Sequence, residues 1–417
     1  MFQRSNIKIY LVVLASSFSV ILILAGSHYL DKKIYRPVTE KNRISVPNSK
    51  IDDNNVVHQQ HPSTKPEEPG DDIVIDKLIQ RQRLVIASEY ANSNFSASKL
   101  KDLLLEAGGQ PVRSLIMSTF RSGSTFLGDI LNAVPGNFHF YEPLIKYESK
   151  QIRGPPEATD AVNILKNMLK CNVEGMRDYL TFAKGHTVTF KLNPRLSGNC
   201  KNNRLCEDAH YTSKFCKLFP FQSMKVVRLR LRLIEDILQD KDFSNLKVVL
   251  LVRDPRGVLS SRQTRPWCRA WPDCWDPTLL CGDMASDYVA LTRLHGKFPN
   301  RLTAVRFEDL AVNYTRETKR LFQTLGRPME AAVDDFFKAH THNARDKNAY
   351  STFRVSQNVP FQWIKYLDYQ FVKQIQEVCS EAMALWGYRA ALSAGHMRSR
   401  HFQPVGPYDV TRGVPVI

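Results

Sequence analysis

Two short stretches of this chain carry residue types suited to gripping anions. The first is TFRSGSTF, Thr119 to Phe126. Gly123 lets the backbone pass close to a ligand. Ser122, Ser124 and Thr125 offer hydroxyls, and Arg121 offers a fixed charge with a planar donor fork. A strand-to-helix turn of this kind points several N–H groups into one concavity, backed by the positive end of the next helix, and so binds phosphate. It is not a Walker A loop, because G-K-[ST] is missing and the cation precedes the glycine. Alone, the loop equally fits a capped helix start with an exposed arginine.

The second stretch is LLVRDPRGVLSSR, Leu250 to Arg262. Arg253 stands where an apolar run ends, and Asp254-Pro255 turns the chain into a helix. Ser260 and Ser261 lie about two helical turns on. An arginine fork and a serine hydroxyl can hold one more phosphate. A structural Asp–Arg turn is the plainer alternative. Together the two stretches suit a nucleotide phosphorylated at two separate ribose positions.

Both stretches need a strand before them and a helix after. Val112 to Thr119 reads as a strand and Ser124 to Val134 as a helix with one apolar face. Further strands are expected at Thr187–Leu192, Lys225–Leu229, Lys247–Val252 and Leu302–Phe307. Helices are expected at Arg232–Gln239, Gly257–Arg262, Thr315–Leu325 and Asp368–Leu385. Such alternation means an α/β fold, a central parallel sheet flanked by helices. Ligands bind such sheets at the strands' C-terminal edge.

The chain has 417 residues and a net charge of +17. That charge attracts polyanions without choosing among nucleic acid, anionic lipid and acidic glycan. Ile9 to Leu30 carries no formal charge. As a helix it would measure about 33 Å, enough to cross a bilayer. Flanking charges leave its orientation open. The expected organisation is a cytoplasmic tail (1–8), a signal-anchor (9–30), a stem (31–105), a catalytic domain (106–395) and a C-terminal tail (396–417). Eight cysteines and two sequons, Asn94-Phe-Ser96 and Asn313-Tyr-Thr315, suit an oxidising lumen. Cys200, Cys206 and Cys216 form one cluster, and Cys268, Cys274 and Cys281 another. Disulfides within these clusters fit, but pairing cannot be read from spacing. No C-x-x-C occurs and no histidine stands at metal spacing, which argues against structural zinc. His58 and His61 read as a solvated pair in the stem.

The motifs resemble those of the Golgi carbohydrate 6-O-sulfotransferases, including the chondroitin and keratan branch. TFRSGSTF is similar to their 5′-phosphosulfate loop and LVRDPRGVLSS to their 3′-phosphate motif. FHFYEPL (138–144), RFEDL (306–310), STFRVSQ…W (351–363) and QEVCSEAMALWGY (376–388) match in order. The resemblance covers Pro111 to Tyr388 and implies a P-loop-like sulfotransferase fold. It implies 3′-phosphoadenosine 5′-phosphosulfate (PAPS) as donor, with no metal. Thr119, Phe120, Arg121, Ser122, Gly123, Ser124 and Thr125 would line the 5′ end. Arg253, Asp254, Pro255, Arg256, Ser260 and Ser261 would hold the 3′-phosphate. Glu142 would be the base and Arg121 the clamp on developing charge. Arg354 and Ser356 would touch the nucleotide, whereas His139 reads as a core or surface residue. The acceptor would be a galactose, N-acetylgalactosamine or N-acetylglucosamine hydroxyl at C6, in a glycan such as chondroitin or keratan, not a nucleic acid. The setting would be the Golgi membrane, single-pass type II, with a lumenal catalytic domain. Oligomeric state stays open. Trp267, Trp271 and Trp275 suit either sugar stacking or packing. Two rival readings are a P-loop kinase-like enzyme, which lacks its lysine motif, and a non-catalytic glycan-binding protein.

Overall fold

Five short strands assemble side by side in the computed structural model, which describes residues 70–95, 97–186, 192–200, 205–340 and 356–410. They are β1 (Val112–Met117), β2 (Asn137–Tyr141), β3 (Phe221–Val226), β4 (Lys247–Val252) and β5 (Leu302–Arg306). Their order is β2-β3-β1-β4-β5, and every pairing is parallel. A parallel sheet needs cover on both faces, and the residues alternate accordingly. Val248, Leu250 and Val252 enter one core cluster, Val249 and Leu251 the other.

β3 begins four residues before the strand expected at Lys225, and β2 was not expected at all. Asn137 and His139 interrupt the apolar pattern of β2, yet both are buried and both bond the Ser223 hydroxyl on β3, at 2.8 and 2.7 Å. Burial, then the charges of Lys225 and Arg327, push His139 down to about 3. It is a neutral core residue.

The helices include α1 (Gly70–Ala91), α2 (Ser124–Asn132), α3 (Glu157–Leu169), α4 (Arg177–Gly185), α5 (Ala209–Cys216), α6 (Pro255–Gln263) and α7 (Pro277–Lys297). They continue with α8 (Phe307–Val312), α9 (Tyr314–Leu325), α10 (Ala331–His340), α11 (Tyr369–Val378) and α12 (Ser380–Leu385). No apolar period marks α7, the second longest helix among the described residues. Its core face carries Asp283 and Asp287 among apolar residues, so its period is masked. Arg153 and Arg230 neutralise them at 2.8 and 2.9 Å. The helix expected over Asp368–Leu385 is broken at Cys379, which a disulfide ties to Cys281.

α1 buries Ile75, Ile79 and Ile86 in the main core. Residues beyond 395 also pack: Met397 is buried, and Gly406 N–H donates to the Gly387 carbonyl at 2.7 Å. Cysteine pairing crosses the expected clusters. Among the pairs described, Cys171–Cys216 and Cys281–Cys379 cross them, while Cys268–Cys274 stays within one. Cys206 is also bonded. The fold brings the ends of distant elements together, which spacing could not reveal. Among the described residues no helix is long and apolar enough to cross a membrane. The expected anchor at 9–30, most of the stem, the strand at Thr187–Leu192 apart from Leu192, and Arg354 lie outside the described residues.

Candidate active site

All five strands end at one edge, and each delivers a residue there. Arg121 follows β1, Glu142 follows β2, Lys225 lies near the end of β3, Arg253 follows β4 and Phe307 follows β5. These five line one cavity of about 790 Å³. That is a size typical of ligand pockets, roughly 300–1,000 Å³.

The first cradle is the loop into α2. Gly123 has φ +89°, and a Cβ there would fall 2.2 Å from the Phe307 ring. Both facts demand glycine. No side chain caps α2, which leaves its first N–H donors open at the end where Ser124 and Thr125 line the cavity. Phe120, Arg121, Ser124 and Thr125 line the cavity beside them. Ser122 Oγ is buried without a hydrogen-bond partner inside the loop. Ser122 itself does not line the cavity. Thr119 has a protein partner of its own. Its hydroxyl accepts from Arg262 at 2.8 Å and does not line the cavity.

The second cradle adjoins the first. Arg253 spans the two, donating to the Arg121 carbonyl at 3.0 Å with its guanidinium 4.8 Å from the Phe307 ring centroid. Ser260 and Ser261 line the wall, and Ser261 Oγ accepts from Arg121 Nε at 3.1 Å. Between them Gly257 also lines the cavity, whereas Asp254, Pro255 and Arg256 do not. Asp254 caps α6 itself, accepting from Arg256 N–H at 2.9 Å. Its carboxylate also takes the Arg256 fork, at 2.9 and 2.7 Å. Arg256 is fully buried, with Gln376 and the Arg389 carbonyl as further partners and the Trp363 ring 4.2 Å away. The Asp254 and Arg256 side chains are thus engaged with each other and with the start of α6. Glu308 of RFEDL reinforces it, accepting from Asp254 N–H and Tyr388 OH at 3.0 Å each. Burial first, then Asp254, raises Glu308 to about 7.

Glu142 has two cationic neighbours that the sequence reading missed. Lys225 Nζ and Arg228 Nη1 each donate to it at 2.7 Å. Lys225 is almost wholly buried and also reaches Thr125 Oγ1 at 3.4 Å. Burial alone would raise the Glu142 carboxyl, but the Lys225 and Arg228 charges outweigh it and hold it at about 2. Burial also lowers Lys225. The available signal was slight, a lysine in a short strand that also carries Gln222 and Ser223. Trp363, Phe182 and His186 join the cavity wall as well, and Ser356 lies in a short helical turn just before Val359, another wall residue.

Residues 111–387 match the sulfotransferase domain family. The chain belongs to that family, a class of enzymes, and the kinase-like reading falls away. Rat carbohydrate sulfotransferase 3 is 27% identical, aligning over 69% of this chain and 69% of its own. Mouse carbohydrate sulfotransferase 1 is 26% identical, over 68% and 81%. Among solved structures, the sulfotransferase domain from the Synechococcus PCC 7002 olefin synthase is 15% identical, covering 66% of this chain and 94% of that one, at a TM-score of 0.37.

Proposed function

We propose that this protein transfers a sulfuryl group from PAPS to a carbohydrate hydroxyl. The observation that carries the reading is the pairing of two anion cradles in one cavity, at Arg121–Thr125 and at Arg253–Ser261. A donor phosphorylated at both ribose ends fits that pairing. When bound, PAPS supplies the sulfuryl group and leaves as the 3′,5′-bisphosphate PAP.

The chain's own residues then have distinct roles. The open N-terminus of α2, Ser124 and Thr125 hold the 5′ end. Arg253, Ser260 and Ser261 hold the 3′-phosphate. Arg121 cannot give up a proton, so it acts by charge on the oxygens where negative charge develops. Lys225, next to Thr125, adds to this. Glu142 takes the acceptor hydroxyl's proton. A carboxylate held at about 2 is a weak base, but a hydroxyl becomes strongly acidic as its oxygen bonds to sulfur. The proton therefore moves late, and a weak base suffices.

The acceptor is proposed to be the C6 hydroxyl of galactose, N-acetylgalactosamine or N-acetylglucosamine in a glycan. The names of the relatives and the motif resemblance support this. A Golgi, type II setting is proposed from the uncharged run at 9–30, the disulfides and the sequons. The proposed stem ends before Gly70, because α1 packs on the domain. Transfer of radiolabelled sulfate from PAPS to a glycan panel, with linkage analysis, tests the reading. Label at C6 of one of these sugars is expected. No label in any glycan contradicts it.

A further inference from the structure

Aromatic side chains form part of the cavity wall. Trp267 and Trp271 line it from one loop, Arg265–Asp276, and Trp267 remains 37% exposed. That loop is closed on itself by Cys268–Cys274. It is also fastened to the donor loop. Arg262, fully buried, donates to the Asp273 and Cys274 carbonyls at 3.1 Å each. The same guanidinium donates to the Thr119 hydroxyl at 2.8 Å and to the Phe120 carbonyl at 3.0 Å. The Phe120 ring meets Trp267 edge-on at 6.0 Å. The two indoles are thus held at a fixed place relative to the residues that grip the donor.

The cations of the cavity sort themselves. Arg121 and Arg253 belong to the two cradles, and Lys225 and Arg228 share Glu142. Arg265 also lines the cavity, on the tryptophan loop. Its Nε donates to the neighbouring Thr264 hydroxyl at 3.1 Å. It pairs with no carboxylate among the described residues, on a chain whose net charge is +17. A fork in that state is suited to an anionic group arriving with the substrate.

We propose that this disulfide-closed loop is the acceptor platform. A hexopyranose lays its C–H face on Trp267 and Trp271, and Arg265 grips a carboxylate or sulfate on the adjoining sugar. The proposal rests on the sulfotransferase reading above. Trp275 is on the same loop and 52% exposed, but it does not line the cavity. It serves as an internal control.

Binding tests this without turnover. The probes are an unsulfated chondroitin hexasaccharide and a neutral poly-N-acetyllactosamine hexasaccharide, each titrated calorimetrically onto the PAP-loaded protein. Trp267→Ala and Trp271→Ala should each weaken chondroitin binding by about 3- to 10-fold, the scale of one aromatic contact. Trp267→Phe should restore most of it. Arg265→Ala should weaken chondroitin and spare the neutral glycan. Trp275→Ala should change nothing, and PAP affinity should be unchanged in all variants, showing that they fold. Wild-type affinity in both tryptophan variants, an equal loss in Trp275→Ala, an equal loss of both glycans in Arg265→Ala, or no glycan binding by the wild type overturns the proposal. If the wild type fails to bind PAP, the parent reading falls and this one with it.

Discussion

The Glu142 carboxylate accepts a 2.7 Å hydrogen bond from the buried Lys225 ammonium, whose nitrogen also lies 3.4 Å from Thr125 Oγ1. One lysine thereby joins the proposed base to the donor loop. Glu142→Gln removes the counter-charge of two cations. It should lower the rate of sulfate transfer by about 10²- to 10⁴-fold. PAP affinity, read by calorimetry, should stay within a few-fold of wild type or tighten. Unchanged transfer would remove Glu142 from the chemistry.

The same pair fixes a pH dependence. The folded carboxyl is held at about 2, below its ordinary 4.5. Its stabilising effect is therefore fully present above 4.5 and is lost as pH falls through about 2. Acid unfolding of Glu142→Gln, followed by circular dichroism, should depend less on pH in that window than wild type.

Glu308 works in the opposite sense. Its folded pKa is raised to about 7 by burial and by Asp254. Its contribution is fully present below 4.5 and is lost as pH rises through about 7. Melting temperature should fall from pH 5 to pH 8 in the wild type. Glu308→Gln, neutral throughout, should flatten that fall. An equal slope in both proteins would contradict the assignment.

Gly123 is required on two counts, its φ of +89° and the 2.2 Å approach of a Cβ to Phe307. Gly123→Ala should cost about 1–3 kcal/mol of stability. It should also weaken PAP binding by more than 10-fold, because the loop must move. Wild-type PAP affinity in a folded Gly123→Ala protein would show that the loop does not hold the nucleotide.

The fold was legible where apolar period and turn chemistry agreed. β1, β4 and β5 fall close to where their apolar runs place them. It was hidden where the core takes polar residues in ion pairs or hydrogen bonds, as in α7 with Asp283 and Asp287 or β2 with Asn137 and His139. The two anion-binding stretches were legible because their residue types are local. Lys225, Arg228 and Arg262 were not, because their partners lie far along the chain. The partners of Arg256, in the turn at Asp254–Arg256, were hidden for a related reason. From sequence, an arginine beside a phosphate motif looks like a ligand-binding group, yet this one is consumed by Asp254 and Gln376.

The claim that two cradles grip one nucleotide by both ribose ends is tested most directly by comparing PAP with adenosine 5′-phosphate, which differs only in lacking the 3′-phosphate. Titration calorimetry on wild type and Arg253→Ala gives four affinities. PAP should bind the wild type about 10- to 100-fold more tightly, the scale of charge-assisted hydrogen bonds to one phosphate. Arg253→Ala should erase most of that difference while leaving adenosine 5′-phosphate nearly unchanged. Equal affinity of the wild type for both nucleotides would contradict the account.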